Sequence, residues 1–323
     1  MKTIRWGIIG CGKVTEIKSG PALQGADGSE LVAVMRRSGD LAANYAKRHG
    51  VARWYDDADA LINDSQVDAV YVATPPSSHK DYALAVAAAS KPVYVEKPMA
   101  LNFAECQAMI AACEEHKVPL FVAYYRRGLP RFAKVKSLLD DGAIGNVRFA
   151  QVCYYRPPSE GDLNGTPNWR VDPRIAGGGY FYDLASHCID LLQHLLGDAV
   201  AASGYASNQT RMYEAEDIVS GVFITEKNVH VNLVWNFNAA SRLDRIEIIG
   251  SKGTLTFSTF ADNPIVLENA AGRQEFTIDN PPHIQQPLIQ TIVNELRSRG
   301  RCPSTGKTAA QTNWVMQQMC TAL

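Results

Sequence analysis

The chain has 323 residues, with 32 basic against 33 acidic side chains and a net charge of −1. That balance supplies no field to gather nucleic acid or an anionic membrane surface, so a small neutral or modestly charged partner is expected. The length exceeds one ordinary core of about 100–200 residues, and no run approaches the ~18–20 apolar positions of a membrane helix, so two domains and no membrane span are expected.

The opening MKTIRWGIIGCG holds a short apolar run that stops at glycines, without the longer apolar region and cleavage site of an export signal. Seven cysteines, at 11, 106, 113, 153, 188, 302 and 320, include no C-x-x-C pair. An odd number argues against a disulfide framework, so a reducing, cytoplasmic compartment is expected.

Over the first ~120 residues, strand-like and helix-like segments alternate at short spacing, the pattern of a parallel sheet covered by helices. Strands are expected at Ile4 to Ile9, Leu31 to Met35, Val67 to Ala73, Pro92 to Glu96 and Val118 to Tyr124. Helices are expected at Leu41 to His49, Asp81 to Ala89 and Phe103 to His116. The strands are continuously apolar rather than alternating, as burial on both faces of a doubly wound sheet requires.

After about Tyr125 the texture changes. A helix from Pro130 to Asp141 and a turn at Gly142 to Asn146 precede period-two segments at Val147 to Tyr155, Ala199 to Ser207, Ile218 to Ile224, Asn228 to Phe237, Arg245 to Ile249 and Gly253 to Ser258. A helix from Gly179 to Leu196 interrupts them, and two more are expected at His283 to Arg299 and Lys307 to Met319. The fold class expected is α/β: a doubly wound parallel sheet over residues 1–123, then an α+β domain with a large, mainly antiparallel sheet over residues 124–323. The last helix is placed to pack back on the first domain.

The first strand runs directly into Gly10-Cys11-Gly12-Lys13-Val14-Thr15 and then a helical segment. In a dinucleotide fingerprint the first glycine makes the tight turn, the second lets backbone approach the pyrophosphate, and the helix N-terminus takes the charge. Thr15 stands where a third glycine is often found. The second strand ends Arg36-Arg37-Ser38, where an acidic side chain would hold the adenosine ribose 2′-hydroxyl; Asp40 lies late for that role. Two arginines and a serine suit a 2′-phosphate instead, so NADP is expected over NAD.

Ligands of open α/β sheets bind outside the carboxyl ends of the strands. Two such ends read Thr74-Pro75-Pro76-Ser77-Ser78-His79 and Glu96-Lys97-Pro98, and they are expected to border the nicotinamide half. Lys97, at the end of an apolar strand, is placed to polarise an oxygen. In Gly179 to Leu196, a stripe of Asp183, His187, Asp190 and His194 recurs at ~100° per residue and holds no lysine, arginine or glutamate, so it is expected to line a cleft over its first turn. Asp183 and His187 suit an acid–base pair. The same residues are metal-ligand types, but Asp183 to His194 spans ~16 Å, too far for one ion, and no metal is expected. A structural polar face is the remaining alternative.

These residues resemble the family of glucose–fructose oxidoreductase, inositol dehydrogenase and rhizopine-catabolism oxidoreductases (Gfo/Idh/MocA). The resemblance covers nearly the whole chain and is carried by GIIGCGKV, ATPPSSH, VEKP, AIGNVR, GGGYFYDLASHCIDLL and IEIIGSKGTL. It implies an N-terminal Rossmann domain, a C-terminal open-faced sheet, Lys97 as the catalytic lysine with a cis peptide before Pro98, and His187 with Asp183 as the acid–base pair. In some relatives a tyrosine takes that role, which leaves Tyr180 and Tyr182 as alternatives. Arg36-Arg37-Ser38 departs from the acid-bearing, NAD-using branch. The substrate implied is a sugar or polyol, with Trp169 and Arg170 of the loop Pro167-Asn168-Trp169-Arg170 as first candidates for contact, then Tyr124, Arg126, Trp235 and Asn236. Alternatives are a dihydrodiol or biliverdin-type reductase and a non-catalytic dinucleotide-binding regulator. The open sheet implies a homodimer or homotetramer.

Overall fold

The first strand, β1 (Ile4–Ile9), is buried at every position but Arg5, as its unbroken apolar run requires. Around it stand β2 (Ser29–Met35), β3 (Arg53–Tyr55), β4 (Ala69–Val72), β5 (Val93–Val95) and β6 (Leu120–Val122), all parallel, in the order β3-β2-β1-β4-β5-β6. The order reverses between β1 and β4, so the crevice at the carboxyl ends opens there. The computed structural model describes residues 3–320; the first two and last three residues of the expected domains lie outside them.

Six strands stand where five were expected. The additional β3 is a three-residue edge strand, Arg-Trp-Tyr, too short to show a period. The opposite edge, β6, would present unpaired backbone, and the returning chain covers it: Ser304 Oγ donates to Val122 O at 2.7 Å, Val122 N donates to Ser304 O at 3.3 Å, and Phe121 bridges Thr305.

The glycine turn leads into a π-turn, Thr15–Ser19, and only then into an α-helix, Gly20–Gly25. Thr15 turns its hydroxyl back on the loop, accepting from Gly12 N at 3.0 Å and donating to Gly12 O at 2.9 Å. Close packing is supplied five residues later by Gly20, where a Cβ would overlap both Thr15 O and the Tyr45 hydroxyl. Tyr45 uses that space to donate to Thr15 O at 2.9 Å.

The second sheet has eight strands: β7 (Val147–Tyr155), β8 (Ala199–Ser207), β9 (Ile218–Thr225), β10 (His230–Asn236), β11 (Leu243–Gly250), β12 (Gly253–Phe257), β13 (Ile265–Asn269) and β14 (Gly272–Phe276). Their order is β14-β13-β12-β11-β7-β10-β9-β8, antiparallel except for the central β7–β10 pair. One face holds the core: Trp235 stacks on Tyr154 at 4.5 Å between ring centroids and meets Phe181 edge-on at 6.3 Å. Trp235 is fully buried, so its expected ligand contact gives way to packing. Across the other face, one register row joins Tyr205, Ser220, Val234, Cys153 and Arg245. Tyr205 and Val234 in that row are exposed.

Two compact units result. One comprises residues 3–100, 104–129 and 280–310; the other 101–103, 130–279 and 311–320. The single crossing expected at 123/124 is therefore replaced by several. The penultimate helix, Gln286–Leu296, belongs with the parallel sheet, seated so close to the turn after β6 that a Cβ on Gly128 would lie 2.9 Å from Leu288 N. The last helix, Gly306–Cys320, joins the first unit only through its first residues; further along, Met319 lies on Gly204 and Gly221 of the second sheet.

Candidate functional site

In the first unit every expected residue lies at the carboxyl edge of the parallel sheet. Gly10 has φ +90°, and a Cβ there would press on Thr74 Cγ2 at 2.7 Å, so the turn and the neighbouring strand end together require glycine. Gly12 differs: the closest atom to a Cβ would be Gly10 O at 3.8 Å. No protein atom demands its missing side chain, so the space above it is open to a ligand. Cys11 contributes backbone only; its thiol is buried and pushed up to about 11 by burial, and its N–H donates to Met35 O at 3.1 Å. Lys13 is exposed and Val14 partly so.

Arg36, Arg37 and Ser38 are all exposed beyond β2. Ser38 caps the helix Gly39–His49 without a side-chain bond to it. Asp40 is exposed, and Asp56 beyond β3, which the sequence reading missed, brings a carboxylate oxygen to 3.5 Å from a Gly39 Cβ position. With strands ~4.8 Å apart, β2 to β5 spans roughly 14 Å, enough to lay an extended dinucleotide from Arg36 to Lys97.

The ends of β4 and β5 are tied together from beneath. His79 is fully buried, with Nε2 2.7 Å from Thr74 O and Nδ1 3.0 Å from Pro98 O and 3.2 Å from Met99 O. Direct contact with a cofactor, expected from its position in the sequence, is replaced by this internal role. Thr74 Oγ1 accepts from Ser78 at 2.8 Å, Pro75 is exposed and Pro76 buried. Glu96 is also buried: one oxygen accepts from Tyr71 at 2.5 Å and Gln285 at 2.9 Å, the other from Lys97 N at 3.1 Å. It too is a support rather than a contact. Lys97 is partly exposed, and the Lys97–Pro98 peptide is cis.

Beyond β6, Tyr124 has no exposed surface, so its proposed substrate contact is corrected to packing. Arg126 is 5% exposed, its guanidinium over the Tyr125 ring at 5.0 Å. Burial alone would raise the Tyr125 phenol, but Arg126, Lys18 and Lys97 outweigh it and hold the phenol below its ordinary range. A titrating group shifted by named charges at a strand end is a site signal that the sequence could not show.

In the second unit the helix expected from Gly179 begins with a π-turn, Phe181–Ala185, before the α-helix Ser186–Leu196. The extra residue offsets the stripe read at 100° per residue. Asp190 is fully buried and His187 5% exposed, whereas the Asp183 side chain is 21% exposed. The stripe therefore divides: Asp183 reaches the surface and Asp190 belongs to the core. Asp183 pairs with Arg170 Nε at 3.3 Å, and the Arg170 guanidinium lies 4.4 Å from the Trp169 ring centroid. The His187 ring meets Phe260 edge-on at 6.1 Å. Among the described residues no group of three or more histidine, cysteine or acidic side chains is placed to hold a metal.

Tyr180 is committed elsewhere. Its hydroxyl donates to Asp162 at 2.6 Å and accepts from Asn168 Nδ2 at 2.9 Å, fixing the loop that carries Trp169 and Arg170. Burial, with the Asp162 carboxylate, raises that phenol. Burial likewise raises Tyr182, whose ring fills the space beside Gly178. Both hydroxyl-bearing rings are thus committed to packing or to internal bonds.

Glu216, not identified from sequence, accepts Gly179 N at 2.8 Å at the start of this segment. Burial pushes its carboxyl up to about 6 from 4.5, the Gly179 bond opposing. The folded chain therefore binds more protons between these values, so the group's stability is full below about pH 4.5 and is lost as pH rises through about 6. The loss amounts to about 2 kcal/mol. Glu216→Gln keeps the acceptor without the charge. Urea midpoints should show this variant more stable than the parent at pH 8 and equal to it near pH 4.5.

Comparison with known proteins agrees with this arrangement. A family model described as "Oxidoreductase family, NAD-binding Rossmann fold" matches residues 4–124, and the GFO/IDH/MocA C-terminal domain matches residues 132–256. The chain is 40% identical to Oxidoreductase P35 of Formosa agariphila, over 98% of each chain. It is 28% identical to 1,5-anhydro-D-fructose reductase of Ensifer adhaerens, over 94% of this chain and 91% of that one. Levoglucosan dehydrogenase, in its complex with NADH and levoglucosan, shares the fold with a TM-score of 0.87 at 22% identity, over 98% and 96% of the chains. A dinucleotide-binding parallel sheet followed by a large open sheet with its own polar cluster is the plan of one class of oxidoreductase. The chain belongs to the GFO/IDH/MocA oxidoreductase family.

Proposed function

We propose that this chain is an NADP-preferring oxidoreductase that moves a hydride between the nicotinamide and a hydroxyl or carbonyl carbon of a small sugar or polyol. The observation that carries the cofactor choice is the end of β2, where Arg36, Arg37 and Ser38 stand exposed and Ser38 makes no side-chain cap bond. Fork-shaped guanidinium groups match a 2′-phosphate, and two of them outweigh the nearby Asp56. The substrate class rests on relatives named for 1,5-anhydro-D-fructose, D-apiose and myo-inositol, and on Trp169 and Arg170, a flat ring and a donor fork suited to a polyhydroxy ring.

When bound, the dinucleotide supplies or accepts the hydride. Lys97 stabilises negative charge on the substrate oxygen, and His187 exchanges the hydroxyl proton while Asp183 and Arg170 orient the surrounding groups. Gly10, Gly12, Lys13 and Val14 receive the pyrophosphate, and Thr74 and Pro75 border the nicotinamide. Seven cysteines, an odd number with no C-x-x-C pair, fit a reducing, cytoplasmic compartment, and no helix among the described residues is long and apolar enough to cross a membrane.

Titration with NADPH and NADH, followed by nicotinamide fluorescence, tests the cofactor reading. The parent chain should prefer NADPH, and replacing both Arg36 and Arg37 by alanine should weaken NADPH about 30-fold while moving NADH less than threefold. Preference of the parent for NADH would discard it. The outward row of Tyr205 and Val234 supports self-association through the open sheet. Sedimentation at micromolar concentration should give a dimer or tetramer that Val234→Arg reduces to monomer; a monomeric parent would overturn this.

A further inference from the structure

We propose that His79 is a buried, doubly protonated imidazolium that, together with the Glu96 carboxylate, holds the Lys97–Pro98 backbone at the Lys97 N–H and the Pro98 carbonyl and so positions the Lys97 side chain. The role assigned to Lys97 rests on the function proposed above. The ionisation of His79 does not.

Three carbonyl oxygens surround the ring: Thr74 O at 2.7 Å from Nε2, and Pro98 O at 3.0 Å and Met99 O at 3.2 Å from Nδ1. A carbonyl oxygen only accepts, and a neutral imidazole carries one N–H. Either tautomer would set a nitrogen lone pair against an oxygen lone pair at 2.7 or 3.0 Å. At no exposed surface, water has no access to relieve that contact. Only the cation donates on both sides.

A buried cation needs compensation. Burial prevails over the three carbonyls and the Glu96 carboxylate and draws the imidazole below its ordinary range, so it is the two-sided carbonyl geometry, unmet by a neutral ring, that calls for the cation. On its own helix, Lys80 is turned to Glu105 at 3.2 Å and Asp81 at 3.8 Å. Glu96 is held in turn by Tyr71 and Gln285, and Gln285 Oε1 accepts from Tyr94 at 3.2 Å. The Lys97–Pro98 pair is thereby gripped twice, at the Lys97 N–H by Glu96 and at Pro98 O by His79. The charged pair spans the two strand ends that border the nicotinamide, and a sub-ångström shift of a catalytic group costs rate steeply.

The test uses the full chain labelled with ¹⁵N-histidine, His79 being assigned by its loss in His79→Gln. The expected spectrum shows both ring nitrogens of His79 protonated at pH 7. In Glu96→Gln, which keeps the shape and removes the counter-charge, His79 should lose one proton at that pH. A single protonated nitrogen in the parent at pH 7 would overturn the ionic assignment, as would an unchanged His79 in Glu96→Gln. His79→Gln should also lower kcat about tenfold or more while the Kd for NADPH changes less than about threefold. Full turnover in that variant would remove the positioning role. Full turnover in Lys97→Ala would remove the reading of Lys97 itself and leave the nitrogen spectrum unaffected.

Discussion

Lys97→Ala is expected to lower turnover by about 10³-fold while leaving the affinity for NADPH within about threefold. The lysine stands two residues past β5, on the sheet edge where ligands of this topology bind. Its backbone is held by Glu96 and, through Pro98 O, by His79. Neither bond depends on the ammonium, so the loop should survive truncation and the loss should fall on kcat. Removing one preorganised charge from the developing oxyanion costs about 10²–10³-fold, and loss of a full cation belongs at the upper end. Steady-state kinetics with cofactor titration would separate the outcomes. Unchanged turnover with intact binding would exclude Lys97 from the chemistry.

The largest loss of stability is expected from Asp217→Ala, at least about 3 kcal/mol. The side chain is fully buried, and its two oxygens accept four bonds of 2.8 Å each, from Gln209 N, Thr210 N, Thr210 Oγ1 and Asn238 Nδ2. Truncation would strand these donors around a void. The loop they secure leads to Glu216, which holds Gly179 at the entrance to the segment bearing Asp183 and His187. Urea unfolding should therefore show a large drop in midpoint, and activity should fall even at denaturant concentrations where the chain remains folded. A change below 1 kcal/mol would mean that these bonds add nothing beyond what water supplies.

Legibility from sequence followed the range of the interaction. β1, its glycine turn and the Glu96-Lys97-Pro98 end could be read because a continuous apolar run, a turn and a strand end are local patterns; β7 and β8 were read to the residue because one buried and one exposed face impose a period of two. β14 could not be read, since Gly-Arg-Gln-Glu-Phe is almost wholly exposed and has no period. The helix Gly179 to Leu196 was legible as a helix, but the arrangement of its polar side chains was not, because a uniform 100° step fails across a π-turn.

By itself, then, the amino-acid order determined the two-part architecture, the dinucleotide turn, the basic end of β2 and the identity of Lys97 and His187 as candidates, all of which depend on neighbours within a few residues. Tertiary structure alone decided which polar groups are committed to buried internal bonds and which stay open to solvent. Glu96 depends on Gln285, 189 positions away; β6 is closed by Ser304, 182 positions away; Tyr180 is claimed by Asp162, and Asp190 is buried outright. A buried polar atom must find a partner wherever the chain brings one, and no local pattern records where that will be.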